Sequence, residues 1–351
     1  MQGKKRIAKV RFTFFLYEVA LVFVFIFVLL IIPVFSAPLL VGETSIIYGI
    51  FFYLMRAVMV FIGVPLIMYL TNLIFESQKR KVIISEDVSP SKGYLRMFRI
   101  TKNNYKYQLL YGILIFLLVF LPIDFFTYLF VPQMIEFQTA ALAFKTTNYY
   151  LLSDNYFIFL ISAIVIQISV GLTEEIISRG FLAKRGSEYF FKMSAVMISS
   201  LYWGLGHFAY FLDPISRTYP VWFPFIWFIQ ALIIGIILGL FILRKKWIFP
   251  VILAHTLNNI VSAHTVWGFL QGNSFRVIAL YLYTPLLILG LIFLVWNHSK
   301  IKDGISSGFK EFKTYFRLDS KEHSKADALF RVFFDILMGV IIFVMGLLVA
   351  V

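Results

Sequence analysis

Cysteine is absent from this 351-residue chain. That excludes disulfides, thiolate metal sites and a cysteine nucleophile together. Charge is scarce: 14% of residues are Asp, Glu, Lys or Arg, against 60% hydrophobic. Ordinary soluble domains carry far more charge and less apolar content. Acidic side chains are scarcer than basic ones, 18 against 32, leaving a net charge of +14. The HExxH helix of zinc metalloproteases does not occur. The apolar runs hold no GxSxG serine elbow and no pair of Asp placed for an aspartyl mechanism.

What is present is a series of long apolar runs. The hydrocarbon core of a bilayer is about 30 Å thick, so a spanning helix needs about 20 such residues. The other spanning solution, a closed β-barrel, uses short alternating segments, and these runs are unbroken. The fold expected is an all-α, polytopic transmembrane helix bundle of about 8–9 spans. They are placed near 12–35, 46–75, 108–131, 155–180, 193–211, 222–243, 248–266, 277–296 and 332–351. The first run is longer than a signal-peptide core and is read as an uncleaved span. Three regions follow: 1–150 with spans one to three and a basic loop, a core at 151–270, and 271–351 with a second basic segment.

Lys and Arg alternate along this series. They crowd the N-terminus, the 76–107 connection, the Lys184–Lys192 connection, the Arg244–Lys246 connection and the 297–331 segment. The connections between hold at most one each. The bias predicts a cytoplasmic N-terminus and an outside C-terminus. It assigns the basic excess to topology and anionic lipid rather than nucleic acid. The 297–331 segment mixes apolar and basic residues and suits an interfacial helix or a solvated loop equally. Asp335 and Gly339 interrupt the last run.

The flanking spans are expected to be poor in polar residues, with the intramembrane polar groups concentrated near 150–270. Ionisable residues inside spans point to function. Span four holds Glu174, Glu175 and Arg179, span five holds His207, and span seven holds His255 and Asn259. Counting from Lys184, Lys192 and Lys245 at about 1.5 Å per residue, Glu174 and His255 lie roughly 15 Å deep and His207 roughly 22 Å deep. Glu175 and Arg179 are one turn apart and can pair, which makes them a structural clasp. Glu174 points about 100° away and has no intrahelical cation, so it suits a general base. His255 and Asn259 share a helix face, with Asn258 turned away. Gly204 and Gly206 should let neighbouring helices approach His207 closely. Each group alone has a bland reading: a packing histidine, a structural ion pair, an asparagine gluing two helices. Their common depth argues for one site. His264, His298 and His323 are assigned no role. A carboxylate and an imidazole can activate water, and an imidazole and an amide can donate to an oxyanion. The same groups can instead hold Zn²⁺ in an open site. Either way the reaction expected is amide hydrolysis within the membrane.

Glu174-Glu175-Ile176-Ile177-Ser178-Arg179, Trp203-Gly204-Leu205-Gly206-His207 and His255-Thr256-Leu257-Asn258-Asn259 resemble, in order and spacing, the EExxxR, FxxxH and HxxxN motifs of the CPBP family. That family, also called Abi, holds CAAX prenyl endopeptidases and bacteriocin-processing or immunity proteins. The resemblance covers roughly 150–265. It departs at Trp203, where the family usually has Phe. It implies an intramembrane endopeptidase in which Glu174 and His207 activate water, and His255 with Asn259 forms the oxyanion site. Trp203, Glu175 and Arg179 have supporting places. It leaves both a zinc scheme (Glu174, His207 and His255 as ligands) and a metal-free one open. The implied partner is a membrane protein or peptide substrate, and the implied setting a cell membrane, the prokaryotic plasma membrane in particular. A non-enzymatic scaffold or self-immunity protein on the same fold is the alternative, and a transporter the third.

Overall fold

The structure, a computed structural model, describes residues 2–83, 90–209, 220–317 and 324–347. Among them are helices and turns and no strand. Ten long helices carry the fold: α1 Lys4–Val41, α2 Tyr48–Arg80, α3 Tyr105–Phe130, α4 Tyr156–Tyr189, α5 Lys192–Phe208, α6 Trp222–Lys245, α7 Phe249–Leu270, α8 Phe275–Trp296, α9 His298–Thr314 and α10 Lys325–Leu347. The all-α membrane bundle read from the sequence is the fold observed.

Seven of these helices, α1–α4, α6, α8 and α10, are long and apolar enough to cross a membrane. The expected spans at 193–211 and 248–266 are helical but stand outside that count. Helix α5 has 17 described residues. Helix α7 has 22, with two histidines, two asparagines and two threonines among them. The polarity of α7 follows from its position, which α5 shares. Helix α5 packs against α6 and α10, and α7 against α3 and α4. Helices enclosed by other helices can carry polar residues that a lipid-facing helix cannot. The outer helices show the opposite pattern, with Phe35, Leu39, Ile74 and Leu291 exposed.

Local chemistry sets the ends. The Asn155 side chain accepts from the backbone N–H groups of Phe157 and Ile158 at 3.0 and 3.2 Å, the usual service of an N-cap, and starts α4. Lys246, at φ 56°, closes α6 in the left-handed conformation that stops helices. Gly171 brings α4 onto α7: a Cβ there would lie 2.7 Å from Thr256 Oγ1. Gly204 likewise meets Phe228 and Leu232 of α6. Gly206 does not: among the described residues nothing lies within 4 Å of a Cβ there, and it lines a cavity.

The flanking helices are not poor in polar residues, which corrects the sequence reading. Glu18 of α1 is fully buried and accepts from Lys79 at 3.0 Å, Arg185 at 2.6 Å and the Tyr189 hydroxyl at 2.8 Å. Arg11 pairs with Asp335 at 2.6 Å and donates to Ser194 at 3.1 Å. Three residues read as cytoplasmic topology markers, Arg11, Lys79 and Arg185, are therefore buried clasps between distant helices. Asp335, so satisfied, does not interrupt α10. The Tyr315 hydroxyl also donates to Asp335 at 3.1 Å. Burial, then the Asp335 carboxylate, raise the pKa of that phenol, which keeps it a donor.

Residues 298–314 of the basic segment form helix α9, with Ile305 and Phe309 exposed. Its Gly304-Ile305-Ser306-Ser307-Gly308 has GxSxG spacing, but it lies within a helix and not on the strand-to-helix turn that exposes a nucleophile. His298 is exposed, and His323 lies outside the described residues. His264 sits among the rings of Tyr156, Phe159, Trp267 and Tyr281 at 5.7–5.9 Å, a packing position.

Candidate active site

Helices α4, α5 and α7 bring Glu174, His207, His255 and Asn259 to the wall of one cavity of about 660 Å³. The backbone of α4 passes from α-helix to π-helix over Ile176–Ala183, directly after the two carboxylates. Such π stretches recur at functional sites because the extra residue re-aims side chains.

The two adjacent carboxylates have different surroundings. Glu175 is fully buried and pairs with Arg179 at 3.1 Å. The same oxygen accepts from His255 Nδ1 at 2.8 Å. Glu175 is thus more than half of a clasp: it ties span four to span seven and fixes the His255 ring. Arg179 Nε and Nη2 have no hydrogen-bond partner, but the Trp203 ring covers the guanidinium at 4.1 Å. An aromatic face over a desolvated cation is stabilising. Glu174, by contrast, has a side chain 35% exposed and faces the cavity. Its Oε2 accepts from Trp203 Nε1 at 2.6 Å and lies 3.9 Å from His255 Nε2.

The histidine tautomers follow from their partners. His207 Nδ1 lies 3.1 Å from the Trp203 carbonyl, so it carries the proton and Nε2 is left as the free nitrogen. His255 Nδ1 donates to Glu175, and its Nε2 is directed toward Glu174. Trp203 packs edge-on against both rings, at 5.1 Å from His207 and 5.3 Å from His255. Phe120 stacks on His255 at 5.8 Å, and Trp227 meets His207 at 5.5 Å. The departure from the usual Phe at position 203 therefore adds a hydrogen-bond donor to Glu174, beyond the change of bulk expected from sequence.

Asn259 lines the cavity and has no hydrogen bond among the described residues. Asn258, expected to point away, lines the cavity too. A rotation of about 100° does not leave a cavity that wraps around an inner helix. The cavity also recruits residues that sequence reasoning missed. Arg56 of α2 and Asp124 of α3 line it, and Asp124 interacts with Asn258 and His255. Both are ionisable residues inside apolar runs, so the signal that singled out Glu174 was available for them. Gln138, Tyr128 and Ser262 form a hydrogen-bonded chain along one wall.

Zn²⁺ has a less ready place. Among the described residues, no three His, Asp or Glu side chains are grouped to hold a metal ion. The Glu174 oxygen nearest His255 is already engaged by the Trp203 indole.

Residues 156–261 match the family model described as type II CAAX prenyl endopeptidase Rce1-like. The match runs from the start of α4 into α7 and takes in all three motifs. It bears out the family resemblance over this segment, and the apolar helices make the chain a multi-pass membrane protein. No curated protein and no solved structure matches the chain.

Proposed function

We propose that the protein is an intramembrane endopeptidase that hydrolyses a peptide bond of a membrane-associated protein or peptide by activating water on Glu174. The observation that carries this reading is the separation of the two carboxylates: Glu175 is consumed by Arg179 and His255, and Glu174 faces the cavity beside two imidazoles. A water between Glu174 and His207 Nε2 would lose its proton to Glu174. The free hydroxide would attack the scissile carbonyl. His255, its Nδ1 held by Glu175, would in its doubly protonated form present Nε2–H to the developing oxyanion. The Asn259 amide is the second donor. Preorganised donors of this kind are typically the largest single contribution in acyl transfer. Glu174 then returns its proton to the leaving amine.

The substrate class follows the family description, a CAAX-type segment, with processing of a bacteriocin or pheromone peptide as the prokaryotic form of the same chemistry. In this reading the N-terminus is cytoplasmic, the basic connections lie on anionic lipid, and the setting is a plasma membrane. Reconstituted protein should cleave a prenylated peptide in vesicles, and Glu174→Ala and His207→Ala should each abolish cleavage. Processing that survives both substitutions would replace the enzyme with the scaffold reading. Activity lost to a chelator and restored by Zn²⁺ would replace the metal-free route with the zinc scheme.

A further inference from the structure

Arg56 is the cavity residue that the chemistry above leaves without work. It sits in the third turn of α2, a helix long and apolar enough to cross a membrane. A guanidinium there is costly unless an anion compensates it. Four other deep cations have one: Arg11 has Asp335, Lys79 and Arg185 have Glu18, and Arg179 has Glu175. Arg56 makes no ion pair among the described residues, and its Nε is buried with no hydrogen-bond partner. It lines the same cavity as Glu174 and His207. It interacts with both Glu174 and Tyr202, yet it forms no salt bridge to Glu174 among the described residues, and one Glu174 oxygen is held by Trp203.

We propose that Arg56 is a specificity residue that receives the free C-terminal carboxylate of the substrate peptide, and so sets the cut a short distance from the chain end. This rests on the endopeptidase reading for the scissile site, but the Arg56 contact is a binding event of its own. The guanidinium is planar and pairs bidentately with carboxylate. Inside the helix bundle, away from bulk water, the pair gains more than it would in solution. A peptide whose terminus is amidated keeps every other contact and loses this one.

The test uses the full chain in phosphatidylcholine nanodiscs. A fluorescent prenylated peptide is compared in two forms, free acid and C-terminal amide, on the uncleaving Glu174→Gln background. Truncating one partner of a desolvated charge pair costs about 30- to 4000-fold in affinity. The acid should bind at least about 30-fold more tightly than the amide. Arg56→Gln should remove that preference by weakening the acid alone, and Arg56→Lys should restore part of it. Thermal unfolding of each variant checks that it folds. Equal binding of acid and amide, a preference that persists in Arg56→Gln, or binding of neither peptide would overturn the assignment. So would loss of the acid preference when phosphatidylglycerol is added, because the anion at Arg56 would then be a lipid phosphate. Acid-selective binding without any cleavage by the unsubstituted protein would instead overturn the endopeptidase reading and leave Arg56 as an anion site.

Discussion

Glu174→Gln and Glu175→Gln differ by one position and should fail in opposite ways. Among the described residues Glu175 is the carboxylate paired with Arg179, and both side chains are fully buried. Removing its charge leaves a guanidinium in low dielectric. Breaking one partner of a buried pair costs about 3–5 kcal/mol. The Trp203 ring at 4.1 Å covers the guanidinium in both proteins and so cancels, and a loss of about 3–5 kcal/mol is expected for Glu175→Gln. The amide oxygen still accepts from His255 Nδ1, so residual activity should persist in the folded fraction. Glu174 is 35% exposed and its partner is an indole N–H, which an amide oxygen also satisfies. Glu174→Gln should change stability by less than about 1 kcal/mol and lower the rate by at least about 10²-fold, the low end for a lost general base. The assay pairs reversible unfolding in mixed micelles with peptide cleavage in vesicles. The double variant Glu175→Gln/Arg179→Met should be more stable than Glu175→Gln alone, since no charge is left unpaired. A Glu175→Gln protein as stable as the unsubstituted one, beside a strongly destabilised Glu174→Gln, would refute the division of roles.

Trp203→Phe keeps the ring but loses the N–H to Glu174, a hydrogen bond to a charged group worth about 1.5–3 kcal/mol. A fall in kcat/KM of about 10- to 100-fold is expected, and unchanged kinetics would show that the indole donor is dispensable. Gly171→Ala places a methyl 2.7 Å from Thr256 Oγ1 and should push α4 off α7, separating Glu174 from His255. Activity should drop and be recovered by adding Thr256→Ala, and failure of that rescue would place the fault elsewhere. Glu18→Gln removes the buried carboxylate that Lys79 and Arg185 share, while Arg185 keeps Glu188. It should destabilise the protein by about 3 kcal/mol or more without altering kcat of the folded fraction, as unfolding and single-turnover measurements would reveal.

The sequence by itself determined the class of fold, because a backbone in hydrocarbon must satisfy its own hydrogen bonds and long apolar runs leave only helices. It also determined the catalytic candidates, since carboxylates and imidazoles are too costly inside apolar helices to be there by accident, and helical spacing alone separated Glu174 from Glu175. Three things were decided only by tertiary structure. Helical periodicity relates residues on one helix, so it could pair Glu175 with Arg179 but not with His255, 80 positions away. Basic residues at span ends looked alike in sequence, and only packing divided lipid-facing markers from Arg11, Lys79 and Arg185, which found buried carboxylates on other helices. The cavity itself is a property of the assembled bundle. Arg56 and Asp124 belong to spans that looked like lipid-facing walls, and Trp203 looked like a bulky Phe until its N–H was seen to end on Glu174. The physical reason is the same in each case. Backbone satisfaction and local spacing are short-range and written along the chain, whereas the compensation of a buried charge depends on which distant helix arrives beside it.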